Sequence, residues 1–254
     1  MSAVATLSIK GQKTRERILE VALDLFQERG YEATTMRMIA TAAGVSLGNS
    51  YYYFPTKEHL VQGFYERIHI DLVAASRDEM TRSRNLRQRL RSVMRAQIDV
   101  MAAYHAASGS LFRSALTPGS PLSPFSDASG PTRRKAINYL REVLDGSSSR
   151  FPADLAATLP ELLWLYELGL VMFWVHDNSE GQHRTYELID DSTDAIVRLL
   201  AMANLPGLRA IRKRMLAWVS TIIDESARAT LAVEGDLDEA DEAAPASAST
   251  SSGG

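Results

Sequence analysis

The sequence predicts an all-α protein, and three observations support this fold class. Apolar residues recur at helical spacing in much of the chain, as in Met36, Ile39 and Ala43. The run PELLWLYELGLVMFWVH, which ends at His176, is apolar on almost every side, and such a helix must be covered on every side. Hydrophobic residues make up 45% of the 254 residues, enough to bury such helices in one large or two smaller domains.

The stretch TTMRMIATAAGVSLGNSYYYFPTK predicts two short helices joined by a glycine turn. Thr34 or Thr35 can cap the first helix, because a hydroxyl accepts hydrogen bonds from the unpaired N–H groups of the first turn. Gly44 stands where that helix must end, and Ser46 caps a second helix from Leu47 to about Tyr53. This geometry is the one that lays a recognition helix in the major groove of DNA.

The side chains of this second helix suit contact with DNA. Three consecutive tyrosines on a helix cannot all face one core, so at least one is exposed; the alternative is an αα-hairpin whose tyrosines only pack. Tyrosine hydroxyls reach phosphates, and their rings can touch a thymine methyl group. The helix start that follows, at Lys57, favours an anion. We predict base-edge contacts for Leu47, Gly48, Tyr51 and Tyr52, phosphate contacts for Thr35, Arg37, Asn49, Tyr53 and Lys57, and a place in the same surface for Ser46.

The run A-x-x-A-G-V-S-x-G-x-x-Y-Y-Y-F-P-x-K, preceded by F-x-x-x-G-Y, resembles the N-terminal DNA-binding domain of the TetR family of transcriptional regulators. The resemblance covers about the first sixty residues. It implies a homodimer that binds double-stranded operator DNA and that a small-molecule effector regulates. Ser50 departs from the pattern, since the family usually has a larger apolar residue there. The serine either loosens the packing of the recognition helix or allows an extra polar contact.

Patterning and resemblance together divide the chain into four parts. We expect a flexible arm over residues 1–12, a helix-turn-helix domain of three helices over 13–58, a helical ligand-binding and dimerisation domain over 59–232, and a disordered acidic tail over 233–254. The net charge of −3 arises in the tail, which holds six acidic residues. Without them, 28 basic residues face 25 acidic ones, so DNA binding would depend on local patches.

Aromatic and methionine side chains concentrate in the predicted C-terminal domain, as in pockets for apolar ligands. Residues 108–131 form a loop rich in proline and apolar residues, either a flap over a cavity or an ordinary packed loop. Four arginines from Arg87 to Arg95 are interpreted as a solvated face. The resemblance implies an effector among these helices, and the candidates are Met101, Tyr104, His105, Phe112, Phe125, Tyr139, Trp164, Leu168, Met172 and Phe173.

The helix that ends at His176 and the next one both carry apolar stripes, the second including Leu188, Ile196 and Leu199. With their copies they can form a four-helix seam in a C2 dimer; the alternative is two core helices of a monomer. A last amphipathic helix is predicted from Pro206, packed against its own domain rather than on a membrane.

Sequence motifs give no positive support for catalysis. The five histidines form no metal-binding or catalytic pattern, and no H-E-x-x-H, G-x-S-x-G or P-loop motif occurs. We expect no metal and no cofactor. The absence of cysteine, of a signal peptide and of an uncharged membrane-spanning run fits the cytoplasm. The competing hypothesis is a small-molecule enzyme on a helical scaffold, with His105 or His176 as the base.

Overall fold

The computed structural model describes residues 8–115 and 120–203, together with residues 214 and 217. This part of the chain is helical, as predicted. Its nine α-helices are α1 (Ile9–Arg29), α2 (Met36–Ala42), α3 (Leu47–Tyr53), α4 (Lys57–Arg82), α5 (Leu86–Met101), α6 (His105–Ala115), α7 (Gly130–Asp145), α8 (Ala153–His176) and α9 (His183–Met202).

Helices α1 to α3 form the N-terminal unit around a small core. Ile18, Phe26 and Ile39 are fully buried in it. Helix α1 begins at Ile9, with the Ser8 hydroxyl accepting from the Gly11 N–H at 3.2 Å. The predicted arm is therefore too long at its C-terminal end, because this cap adds a turn of helix before Lys13. Residues 1–7 lie outside the described part.

Helix α4 joins this unit to the C-terminal body. Its N-terminal turns bury Leu60 and Phe64, and its middle turns bury Ile68 and Leu72, so one stripe runs through both parts of the molecule. It packs against α5 and α7. Because the apolar stripe is continuous, α4 is a rigid connection between the two ends of the chain.

The segment predicted as a loop from residue 108 instead starts as helix. Helix α6 continues to Ala115, because Leu111 and Ala115 bury themselves one turn apart. Residues 120–129 are organised around the buried Ser126. Its Oγ lies within hydrogen-bond distance of the carbonyl oxygens of Pro121 and Ser123 and of Ser129 Oγ. Residues 120–129 are therefore a compact hydrogen-bonded segment that leads into α7.

Arg89 does not belong to a solvated face. It is 4% exposed, and its guanidinium donates to four carbonyl oxygens at 2.6–3.1 Å, those of Met80, Ser83, Glu142 and Val143. We call this cluster the Arg89 junction. These oxygens close the C-terminal ends of α4 and α7, where a cation is favoured. Helical spacing alone does not distinguish this arginine from its neighbours.

The neighbouring arginines of α5 pair with acidic residues of α9. Arg95 forms two hydrogen bonds with Asp190, at 2.6 and 3.0 Å, and Arg91 reaches Asp194 at 2.9 Å. These partly exposed pairs fix the register of α5 against α9. Asp190 and Asp194 of α9 therefore have structural roles.

Helix α8 is longer than predicted and begins at Ala153, with Pro160 inside it. Its length and mean hydropathy of 1.4 would suffice to cross a membrane, but it packs against α6, α7 and α9 and buries Leu163, Leu170 and Trp174. We interpret it as a core helix. Of the predicted helix from Pro206, only residues 214 and 217 are described, and the acidic tail lies outside the described residues.

Candidate functional site

The first candidate site is the surface formed by α2, α3 and their turn. Thr35 Oγ1 accepts from the Met38 N–H at 3.3 Å and caps α2. Gly44 has a φ of 63°, a left-handed conformation that suits glycine, and it turns the chain between the helices. Ser46 Oγ accepts from the Asn49 N–H at 3.1 Å and caps α3. The predicted helix-turn-helix geometry is thus present, with both expected caps.

Helix α3 turns its tyrosines outward. Tyr52 is 68% exposed and Tyr51 is 46% exposed, so neither ring belongs to the core. Adjacent exposed aromatic side chains are typical of contact surfaces, and the tyrosine hydroxyls remain available for hydrogen bonds. Of the ten predicted DNA-contacting residues, Thr35, Arg37, Ser46, Gly48, Asn49, Tyr51 and Tyr52 are exposed, while Leu47, Tyr53 and Lys57 are half-buried.

Lys57 connects the start of α4 to the end of α1. Its ammonium donates to the carbonyl oxygen of Tyr31 at 2.8 Å and lies 4.1 Å from the centroid of that ring. The Tyr31 hydroxyl donates to Glu58 Oε1 at 2.8 Å, and burial followed by this hydrogen bond raises the pKa of Tyr31. An ammonium has three donors, so Lys57 can keep this contact and still meet a phosphate.

Ser50 faces inward from α3. It is fully buried, and its Oγ has no hydrogen-bond partner among the residues that the structure describes. DNA cannot reach this hydroxyl without a rearrangement of α3. Of the two alternatives for Ser50, the geometry favours looser packing over an extra polar contact.

The second candidate site is a cavity of about 160 Å³ in the C-terminal body. Residues of α4, α5, α6, α7 and α8 line it, and Pro124 and Ser129 of the ordered connection close one side. Most of its wall is apolar, with the aromatic rings of Phe64, Phe112 and Trp164. A chamber of this composition suits a small apolar ligand.

Four of the ten predicted effector-binding residues line this cavity: Met101, Phe112, Trp164 and Leu168. Two more lie one layer behind the wall. The Tyr104 ring packs edge-on against Phe64, with centroids 5.1 Å apart, and the Phe125 ring packs against Trp164 at 5.4 Å. These two rings support lining residues and do not themselves line the chamber.

The remaining four predicted residues lie elsewhere. His105 Nε2 is 3.0 Å from the carbonyl oxygen of Trp174, and the Tyr139 hydroxyl forms a hydrogen bond with the buried Ser76 of α4. Met172 and Phe173 are 50% and 42% exposed on the outer face of α8. On α8, aromatic residues recur on every side, so the sequence did not separate residues that line the cavity from Met172 and Phe173. Only packing decides which side of α8 faces the chamber.

Sequence reasoning missed the acidic residue of the cavity, Glu167. It is 9% exposed and lines the chamber, yet no hydrogen bond or ion pair to its carboxyl is present within the described ranges. Burial raises its pKa to about 7. The available signal was a carboxyl in the middle of an apolar run whose only other carboxyl, Glu161, stands at its start.

The third feature is an apolar face shared by α8 and α9. On α8, Gly169, Met172 and Phe173 follow one exposed stripe; on α9, Leu199 and Met202 are 61% and 45% exposed. A side chain added at Gly169 would meet nothing within 4 Å in the protomer. This face is the one predicted to form the seam of a dimer.

Two family models match the chain. One, described as "Bacterial regulatory proteins, tetR family", matches residues 18–63, and the other, "Tetracyclin repressor-like, C-terminal domain", matches residues 89–227, more than half of the chain. The chain belongs to the TetR family. The expectation of a non-enzymatic regulator family is thereby confirmed, and the competing histidine-based enzyme is not supported. Within residues 8–115 and 120–203 no three His, Asp or Glu side chains are grouped to hold a metal.

Curated relatives match part of this TetR-family protein. The transcriptional repressor KstR2 of Mycobacterium tuberculosis is 35% identical over 92 residues, 36% of this chain and 46% of the relative. KstR of Rhodococcus jostii is 48% identical over 56 residues, 22% of this chain and 26% of the relative. The matches therefore span about half the length of these relatives or less.

Solved structures share the fold across most of the TetR-family chain. A regulator from Syntrophomonas wolfei superposes with a TM-score of 0.61 at 19% identity, covering 73% of this chain and 95% of the other. SmeT in complex with triclosan superposes with a TM-score of 0.56 at 22% identity, covering 73% and 91%. Identities this low establish the arrangement of helices only.

Proposed function

We propose that this protein is a transcriptional repressor that binds a near-palindromic operator as a homodimer and is released from it by a small, mostly apolar effector. The observation that carries the proposal is the exposure of Tyr51 and Tyr52 on a capped helix that follows a glycine turn. The two copies of α3 would occupy successive major grooves, about 34 Å apart. Such a regulator would act in the cytoplasm.

The dimer is supported by the apolar face of α8 and α9. The exposed apolar side chains of this face accompany Gly169, where the protomer leaves open space and a second helix could approach closely. A self-complementary face of two helices makes a four-helix seam under a twofold axis. The matching face of a second copy is the occupant that we propose.

The release mechanism is supported by the two roles of α4. One end carries Lys57 and Glu58, which hold Tyr31 of the N-terminal unit. Further along, five α4 side chains line the cavity: Phe64, Tyr65, Ile68, His69 and Leu72. An effector that binds better to the DNA-free arrangement of α4 would release DNA by linkage.

The proposal is tested by footprinting the full chain on the intergenic DNA beside its own gene. We expect two protected half-sites related by symmetry, with affinity that falls as salt rises because counterions are released. Tyr52→Ala should lower the ratio of operator to random-DNA affinity by about tenfold, the value of one lost base contact. Glu32→Ala, an exposed change outside α2 and α3, is the control. Equal losses on both DNAs would remove Tyr52 from the base-reading set.

The dimer has its own measurement, sedimentation velocity at several concentrations. Gly169→Leu fills space that is open in the protomer, so the fold should persist while the seam is blocked. We expect a dimer for the native chain and a monomer with an unchanged circular dichroism spectrum for the variant. A native monomer, or an undisturbed dimer in Gly169→Leu, would contradict the proposed seam.

A further inference from the structure

Glu167 is an acidic residue in the mainly apolar wall of the cavity. The residue is nine-tenths buried and borders a chamber walled mainly by apolar side chains. A buried carboxyl without a partner costs free energy in either protonation state, and the cost is larger when it is ionised. Nothing in the packing of α8 requires an acid here, since its neighbours Leu163 and Leu170 bury aliphatic side chains.

The other titratable groups of the chamber do not neutralise Glu167. From α7, Arg133 lines the cavity, but its Nη1 donates to the carbonyl oxygens of Pro124 and Ser126, at 2.7 and 3.3 Å. From α4, burial lowers the pKa of His69 and raises that of Tyr65 to about 12, so both are neutral near pH 7.5. The lining residues of α5 and α6 carry no titratable group.

Aromatic rings stand in the same wall as the carboxyl. Trp164 lies three residues before Glu167 on α8, so the two side chains lie on neighbouring positions of one helical face, and both line the chamber. Phe64 and Phe112 contribute rings from α4 and α6. A carboxylate beside aromatic faces is the environment that a desolvated organic cation prefers.

We propose that Glu167 binds the hydrogen-bond-donating head of the effector, and that this effector is an apolar molecule whose head is a protonated amine in preference to an alcohol. The inference rests on the proposed function and specifies the ligand of its cavity. The aromatic wall holds the apolar body, and the ammonium gives the buried carboxylate a partner that residues 8–115 and 120–203 do not supply. A ligand with a carboxylate head meets repulsion at the same point.

The test is calorimetric titration of the full chain with three probes of one chain length: octylamine, octanol and octanoate. At pH 8 we expect octylamine to bind at least about tenfold more tightly than octanoate, since one charge-assisted hydrogen bond supplies that ratio. Glu167→Gln should remove most of this preference. Glu161→Gln, the same change on the same helix at a residue that does not line the cavity, should keep it.

A pH series adds an independent readout. Octylamine affinity should rise about tenfold from pH 6 to pH 8, as a carboxyl with a pKa near 7 ionises, and the rise should vanish in Glu167→Gln. Octanol, which is uncharged, should change by less than about twofold. A preference for octanol over octylamine would overturn the amine assignment.

Tighter binding of octanoate, binding of no probe, or an unchanged preference in Glu167→Gln would each overturn the proposal. These failures are distinct from failure of the regulator itself, because footprinting of operator DNA in the absence of any probe tests DNA binding alone.

Discussion

The Arg89 junction and the wall around Glu167 both bury a charged side chain in the helical body, and they differ in what surrounds the charge. Four carbonyl oxygens hold the guanidinium, whereas the carboxyl has no partner in the described structure and faces a chamber. A buried charge that is fully hydrogen-bonded stabilises the fold around it, and one left without a partner costs stability. A buried charged side chain therefore does not by itself indicate a binding residue. A buried charged side chain that borders a cavity and lacks a hydrogen-bond partner does.

The largest expected effect comes from breaking the Arg89 junction. Arg89→Met leaves four carbonyl oxygens without their donor, so the free energy of unfolding should fall by about 4 kcal/mol. Arg87→Met is the matched control, because Arg87 is more than a third exposed in its pair with Asp194 and solvent screens the pair to less than about 1 kcal/mol. Urea denaturation at a fixed protein concentration measures both. Equal losses would show that the junction contributes no more than a surface pair.

Glu167→Gln should have the opposite sign, and its size should depend on pH. The folded pKa of about 7 lies above the ordinary value of 4.5, so the folded state holds the proton more tightly. The native chain therefore loses stability as pH rises from 4.5 through 7, by about 3 kcal/mol when the shift is converted. The variant lacks this loss, so it should gain on the native chain between pH 5 and pH 8. Parallel stability curves would show that the carboxyl is already paired.

Asp177 is a second buried charge with partners, and it offers a sharper version of the same contrast. Burial would raise its pKa, but hydrogen bonds from Ser179 and Thr185 outweigh burial and lower it well below the usual 3.8. Its stabilisation is present above pH 3.8 and is lost as pH falls further. Asp177→Asn should cost about 2 kcal/mol at pH 7. Acid denaturation beside the exposed Asp191→Asn checks this, and identical acid midpoints would contradict it.

The smallest effect tests an uncharged polar group in the same way. Ser50→Ala removes a fully buried hydroxyl that has no partner among the described residues, so it should stabilise the chain by about 1 kcal/mol. Ser46→Ala, four residues earlier, removes the cap of α3 and should destabilise by about 1 kcal/mol. Thermal unfolding at one concentration measures the two signs. A loss of stability in both variants would mean that Ser50 is satisfied in solution.

The helix-turn-helix was predictable from sequence because its determinants are local. Each determinant involves residues at most four positions apart: the cap at Thr35, the cap at Ser46 and the left-handed turn at Gly44. Three adjacent tyrosines on a short helix forced exposure of at least one ring. Helices predicted between α4 and residue 203 were also found, because their periodicity is local, although α6 and α8 extend beyond the predicted bounds, as α1 does in the N-terminal unit.

The sequence by itself determined the fold class, the turn geometry of the N-terminal unit and the family, since each depends on short-range spacing and chemistry. Only the tertiary structure decided which charged residues are structural and which face a cavity. Arg89 and Glu167 both interrupt amphipathic or apolar helices, and a helix bears side chains in every direction. The neighbours that each one meets come from residues far away in the chain, such as Val143 for Arg89 and Phe64 for the cavity of Glu167. Contacts over that separation are fixed by packing, which spacing along one helix does not record.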